Sequence, residues 1–137
     1  MLFDPRTGAD GLEQAMASLC AKASAAVAGG ATLLVISDRG LSRQHAPIPA
    51  LLATAGVHHH LVREGSRTRC ALIIETGEAR ECHHMALLVG SGAAVINPYL
   101  ALETIGAWIP CRRPNSDPGQ GICLRHVPLE TLCNCVL

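Results

Sequence analysis

At 137 residues the chain has room for one domain, and an apolar share of 49% is enough to fill an ordinary core. Eleven basic residues balance eleven acidic ones, so a face able to displace counterions from nucleic acid or an anionic membrane is not expected. A single Phe, a single Trp and a single Tyr leave no platform for stacked bases, and no apolar run is long enough to cross a bilayer.

The opening Met1-Leu2-Phe3-Asp4-Pro5 lacks the basic start and apolar stretch of a secretion signal. A cytoplasmic location is therefore expected, with Cys20, Cys70 and Cys82 as reduced thiols. Residues 11–28 predict a helix, with Leu12, Ala15, Met16, Leu19, Ala23, Ala26 and Val27 at helical spacing, Asp10 as N-cap and Gly29-Gly30 as the stop. Residues 31–37 are a continuous apolar run that ends in Ser37-Asp38-Arg39. Such a run predicts a strand buried on both faces, inside a parallel sheet with helices on either side.

Residues 40–47 read as a loop, and Pro47 and Pro49 suit the first turn of a helix. That helix, residues 48–64, carries a stripe at Ile48, Leu51, Leu52, Ala55 and Val62, with His59 at its centre, and Gly65 ends it. Residues 70–74 are a second buried strand running into Glu75-Thr76-Gly77. Residues 78–89 are a short helix stopped by Gly90 or Gly92. Residues 93–96 are a third strand, leading into Asn97-Pro98-Tyr99, and a last helical stretch starts near Leu100.

The order predicts an α/β fold of parallel βα units joined by right-handed crossovers. Three units are too few to close a barrel of eight strands. They form either part of a barrel or a small open sheet with two bare edges. On this reading residues 1–105 are the domain, and they are expected to fold poorly and associate when isolated. Residues 106–137 lack any period, contain Pro110, Pro114 and Pro118, and gather Cys111, Cys123, Cys133 and Cys135. They read as foreign to the fold, as a frameshifted or mis-spliced end would be, or else as a true but unusual C-terminal extension.

Several residues invite a chemical reading. His58-His59-His60 suggests a metal, but adjacent helical residues point about 100° apart and cannot converge on one ion. The plainer reading is one core histidine beside two that face a neighbour or solvent. Glu75, at a strand's carboxyl end, could pair with His83 and His84 as a general acid–base set. Alternatively, Glu75 accepts N–H bonds from the Thr76-Gly77 turn and the histidines pack against loops. Asp38 and Arg39 could be a catalytic acid with an anion clamp, or a salt bridge that ties down a loop. Glu78, Arg80 and Glu81 read as a solvated helix start. Gly90-Ser91-Gly92 precedes a strand, the wrong side for cradling phosphate. Cys133-Asn134-Cys135 lacks the second pair of a zinc knuckle.

The segments Leu33-Leu34-Val35-Ile36-Ser37-Asp38-Arg39, Ala46-Pro47-Ile48-Pro49-Ala50-Leu51-Leu52-Ala53 and Val57-His58-His59-His60-Leu61 follow one another in this chain. Glu75-Thr76-Gly77-Glu78-Ala79-Arg80-Glu81, His83-His84 and Asn97-Pro98-Tyr99-Leu100-Ala101 come after them. In that order they resemble the central domain of the glutamate synthase large subunit, over about residues 10–104. Cys82, Met85 and Ser91 depart from the pattern. The resemblance implies a segment of an enzyme that makes glutamate from glutamine and 2-oxoglutarate. It implies an architecture related to a flavin-binding TIM-type barrel, without flavin in this segment. FMN and an iron–sulfur cluster are implied for the full-length enzyme only. The implied partners are its amidotransferase and FMN-binding domains and a small NADPH-oxidising subunit, with no nucleic acid or membrane. No catalytic, cofactor-binding or metal-ligating residue carries over to this chain. The rivals are a free-standing metal-dependent enzyme using Glu75, His83 and His84, and a structural module without a substrate.

Overall fold

A computed structural model describes residues 1–108. The elements are β1 (Leu2–Phe3), α1 (Gly8–Ala28), β2 (Leu33–Ser37), β3 (Ala46–Pro47), α2 (Ala50–Arg63), β4 (Ala71–Glu75), α3 (Cys82–Gly90), β5 (Val95–Asn97) and α4 (Tyr99–Trp108). Short 3-10 turns lie at Pro5–Thr7 and Arg67–Arg69. The fold is thus mixed α/β, as the apolar runs and glycine stops imply. Most of the 106–137 segment, including its four cysteines, lies outside the described residues, although α4 carries the helix past residue 105.

The main sheet is parallel, in the order β2-β4-β5. Its strands follow chain order, so both crossovers step in the same direction. Right-handed crossovers stepping one way place their helices on one face of the sheet. Accordingly α2 packs on β4, α3 packs on β5, and the two helices touch each other, with α1 lying along α2. Ile36, Leu72 and Ile74 point into this helical layer and are buried with Val27, Ala53, Val57, Leu61 and Leu88.

The opposite face is different from what the apolar runs suggest. The register Val35↔Ile73↔Val95, with Leu33↔Ala71 below it, places these side chains together on the far face. No described helix covers them: Leu33 is 61% exposed and Val35 62%. The expectation that helices flank the strands on two sides is therefore corrected. An unbroken apolar strand announces that both faces are to be buried, without saying that helices do the burying.

Three local readings also change. Helix α1 starts at Gly8, so Asp10 lies in its first turn and the N-cap is Thr7. Asp4 instead caps the preceding turn, accepting from the Arg6 N–H at 2.9 Å. Helix α2 buries Ala50, Ala53, Thr54, Val57 and Leu61, leaving Leu51, Leu52, Val62 and His59 exposed. Its sequence carries two apolar stripes, and the one with the smaller residues faces the sheet because it permits close approach. Thr54 is tolerated there because its hydroxyl donates to the Ala50 carbonyl at 2.7 Å. Helix α3 starts only at Cys82, so residues 78–81 are loop.

The residues read as a loop before α2 contain β3, which pairs antiparallel with β1 (Leu2↔Pro47, Phe3↔Ala46). Strands of two residues are too short to show a period. The Ile48 N–H donates to the Met1 carbonyl at 3.1 Å and continues this clasp.

The two sheet faces predict unequal costs for truncation. Leu72→Ala, on the helix-covered face, should cost about 3 kcal/mol. Val35→Ala, on the bare face, should cost less than about 1 kcal/mol. Urea denaturation of the two variants checks this; equal losses would mean that the far face is covered as well.

Candidate functional site

Functional groups of parallel α/β folds gather at the carboxyl ends of the strands. Here three such ends meet: Ser37-Asp38-Arg39 after β2, Glu75-Thr76-Gly77 after β4 and Asn97-Pro98-Tyr99 after β5. The register Ser37↔Glu75↔Asn97 sets these three side chains as a polar row at the end of the bare apolar face.

Glu75 is the hub of that row. It accepts from the Ser37 hydroxyl at 2.6 Å, from Arg39 Nε at 2.8 Å and from Asn97 Nδ2 at 3.4 Å. The Ser37 hydrogen bond, followed by the Arg39 guanidinium, holds the Glu75 carboxyl below its ordinary range. Arg39 stacks over the Tyr99 ring, 4.0 Å from its centroid, and reaches Glu103 on α4 at 3.6 Å. The cation is thus shared between two carboxylates and an aromatic face.

Asp38 lies underneath, with 1% of its surface exposed. Its Oδ2 accepts from the Thr76 hydroxyl at 2.7 Å and from the Gly77 N–H at 2.9 Å. Oδ1 has no hydrogen-bond partner among the described residues. Burial, and then the nearby Asp38 carboxylate, push the Tyr99 phenol above its usual value. Space at this turn is tight: a Cβ at Gly77 would sit 3.1 Å from the Tyr99 hydroxyl, which would have to shift by a few tenths of an ångström. Backbone bonds from Asp38 N–H to the Glu75 carbonyl and from Thr76 N–H to the Asn97 carbonyl tie the three ends together.

The histidines do not join this cluster. His84 Nδ1 accepts from the Arg80 N–H at 3.3 Å, and His83 is exposed in the first turn of α3. Glu75 bonds to neither, nor to the Thr76-Gly77 turn, whose Thr76 hydroxyl and Gly77 N–H go to Asp38 and whose Thr76 N–H goes to the Asn97 carbonyl. Arg39 does not form the salt bridge read within Ser37-Asp38-Arg39; it pairs with Glu75 across the sheet, and Asp38 accepts from the turn after β4 instead. The His triplet splits three ways. His58 Nδ1 accepts from Arg67 Nε, His60 Nε2 lies 2.8 Å from the Ser24 hydroxyl and 3.2 Å from Glu64, and His59 is exposed, edge-on to His58. Among the described residues no three His, Cys, Asp or Glu side chains are placed to hold a metal ion.

Glu78 has a role that its charged neighbourhood concealed. Pro49 precedes α2 and offers no side-chain oxygen, and Glu78 supplies one from the loop after β4. It accepts from the Ala50 N–H at 2.8 Å, so an anion sits at the positive end of the helix. The signal present in the sequence was the helix start without a cap; the partner, 28 residues away, gave none.

The chain's residues 1–120 match the family model described as the glutamate synthase central domain. The NADPH glutamate synthase large chain of Bacillus subtilis is 46% identical over 93 residues, which is 68% of this chain and 6% of that protein. Ferredoxin-dependent glutamate synthase 2 of Synechocystis is 45% identical over 105 residues, 74% of this chain and 7% of its own length. The NADH glutamate synthase of Saccharomyces cerevisiae is 41% identical over 103 residues, 75% of this chain and 5% of its own. The chain therefore spans only a small part of the relatives it matches. No described helix is long and apolar enough to cross a membrane.

The low-lying Glu75 carboxyl makes the polar row acid-sensitive. A carboxylate depressed in the folded state adds stability above its unfolded value. That stability is lost as the pH falls through the folded value. Denaturation followed from about pH 6 down to pH 3 should show a stability loss that Glu75→Gln flattens, since the amide does not titrate in the carboxylate range. An unchanged slope in the variant would place the acid sensitivity elsewhere.

Proposed function

Because the chain belongs to the glutamate synthase central-domain family, we propose that it serves as a structural segment of a glutamate synthase large chain and carries no reaction step itself. The parent's activity on this reading is formation of glutamate from glutamine and 2-oxoglutarate, in ammonia assimilation. The segment links an amidotransferase domain to an FMN-bearing domain and builds the surface between them. Its domain is residues 1–105, its setting the cytoplasm.

One observation carries the non-catalytic reading: apart from the buried Asp38 Oδ1, the charged groups of the carboxyl-end cluster are bonded from within. Glu75 takes three donors, Arg39 is shared by Glu75, Glu103 and Tyr99, and Asp38 Oδ2 is occupied by the turn. A general acid or base needs a free atom within reach of substrate. Here the charged groups are used to hold strand ends together. Glu75, His83 and His84 are not assembled into the metal-dependent centre that the sequence leaves as the rival.

We further propose that the segment is an arc of a barrel related to the flavin-binding kind. Strands in chain order, helices on one face and a bare apolar inner face capped by a polar row at the carboxyl end all support it. The residues do not fit a flavin phosphate. The Gly77 N–H, a donor at the turn after β4, is given to Asp38, and Tyr99 fills the space above it. For the parent's iron–sulfur cluster, the described Cys20, Cys70 and Cys82 sit on α1, ahead of β4 and at the start of α3, with no common metal-holding group. The names of the relatives include NADPH, ferredoxin and NADH forms at similar identity. This supports a segment whose sequence does not choose the electron donor.

The test is a graft. Residues 1–105 replace the matching stretch of the Bacillus subtilis large chain, and glutamine-dependent glutamate formation is measured. Activity should persist, and Glu75→Gln, His83→Ala and His84→Ala should each keep the turnover of the flavin-loaded enzyme within about threefold. A loss of about a hundredfold at one of them, the size of a missing acid or base, would assign the segment a catalytic role.

A further inference from the structure

The His triplet and the basic turn after it have no part in the carboxyl-end cluster, and they meet at the opposite, amino end of the sheet. Arg67 lies in the turn between α2 and β4. Its Nε donates to His58 Nδ1 at 3.0 Å, one terminal nitrogen donates to the Cys70 carbonyl at 2.6 Å, and the other donates to the Gly92 carbonyl at 2.7 Å. Cys70 enters β4 and Gly92 leads into β5, so a single guanidinium joins the end of α2 to the starts of two strands. Gly92, at φ +106°, passes close under the His58 ring, and a Cβ there would overlap the imidazole.

Arginine has no acceptor and does not lose its proton. The His58 nitrogen facing it must therefore be the bare one, with the proton on Nε2. An imidazolium has N–H on both nitrogens and cannot accept this bond. Among the described residues the titratable and charged groups facing the ring are Arg67 and His59, and neither offers a carboxylate that would stabilise an added proton.

We propose that His58 and Arg67 form an acid-released latch, in which protonation of His58 expels the Arg67 guanidinium and frees the Cys70 and Gly92 carbonyls. The amino ends of β4 and β5 then lose their tie to α2. Consistent with this geometry, burial first, and then Arg67 and His59, hold the His58 imidazole below its usual value. The sign follows. A histidine depressed in the folded state leaves stability complete above the unfolded value, and stability falls as the pH drops below it towards the folded value.

The experiment uses the full chain labelled with 15N. Long-range proton–nitrogen correlation should find Nδ1 of His58 bare and Nε2 protonated at neutral pH, with protonation only below about pH 6.5. Protection factors of the Ala71 and Ala94 amides, which donate to Thr32 and Leu72 at this end of the sheet, should fall in the same interval. The loss should approach about tenfold per pH unit between the two His58 values. His58→Asn keeps an oxygen acceptor near the Nδ1 position without a titrating group, and it should remove that pH dependence. The tautomer measurement needs no variant, so it stands if His58→Asn fails to fold. A proton on Nδ1 at neutral pH, or the same loss of protection in His58→Asn, would overturn the latch.

Discussion

Both crossovers of the parallel sheet step in the same direction, and the rest of the structure follows from that constraint. Each right-handed crossover lays its helix on the same face, so α2 and α3 share one layer with α1 beside them. The core is the seam between this layer and Ile36, Leu72 and Ile74. A sheet wound in two directions would have received helices on both faces. This one cannot, and Leu33, Val35, Ile73 and Val95 form an apolar face without a described helix over it. In a barrel such a face points inward, where side chains from the remaining strands fill the space.

At the carboxyl end the same register that aligns the apolar row aligns Ser37, Glu75 and Asn97. A carboxylate between a hydroxyl, an amide and a guanidinium is well suited to fixing strand ends and poorly suited to exchanging protons with a substrate. The stacking of Arg39 on Tyr99 extends this order to α4, and Asp38 extends it to the turn after β4. At the amino end Arg67 does comparable work with one side chain. The two ends differ in their response to acid. Glu75 responds in the carboxylate range, whereas His58 responds nearer to neutrality.

Much of this was legible in the sequence. The apolar runs gave three strands in parallel, and the glycines gave the helix stops. The segments Ser37-Asp38-Arg39, Glu75-Thr76-Gly77 and Asn97-Pro98-Tyr99 stood out because each joins an apolar run to polar residues at a strand's end. What stayed hidden has a common physical reason: it depends on which side of an element faces inward. Residues 33–36 are apolar throughout, so their period could not say that one face has no described helix over it. Helix α2 has two apolar stripes, and only packing shows that Ala50, Ala53, Val57 and Leu61 win over Leu51, Leu52 and Val62. The partners of Glu78, Glu75 and His58 lie 28, 38 and 9 residues away, beyond the reach of helical or strand spacing.

The most direct test of the barrel-arc reading is the accessibility of the helix-free face in two settings. Val35→Cys, read by thiol labelling and mass mapping, reports on the centre of that face. In the isolated chain the thiol should label rapidly; grafted into a whole glutamate synthase large chain it should be protected by at least about a hundredfold, as burial among barrel strands requires. Equal labelling in the two settings would contradict the reading, because the face would then be solvent-exposed in the complete enzyme and the sheet would not be part of a closed barrel.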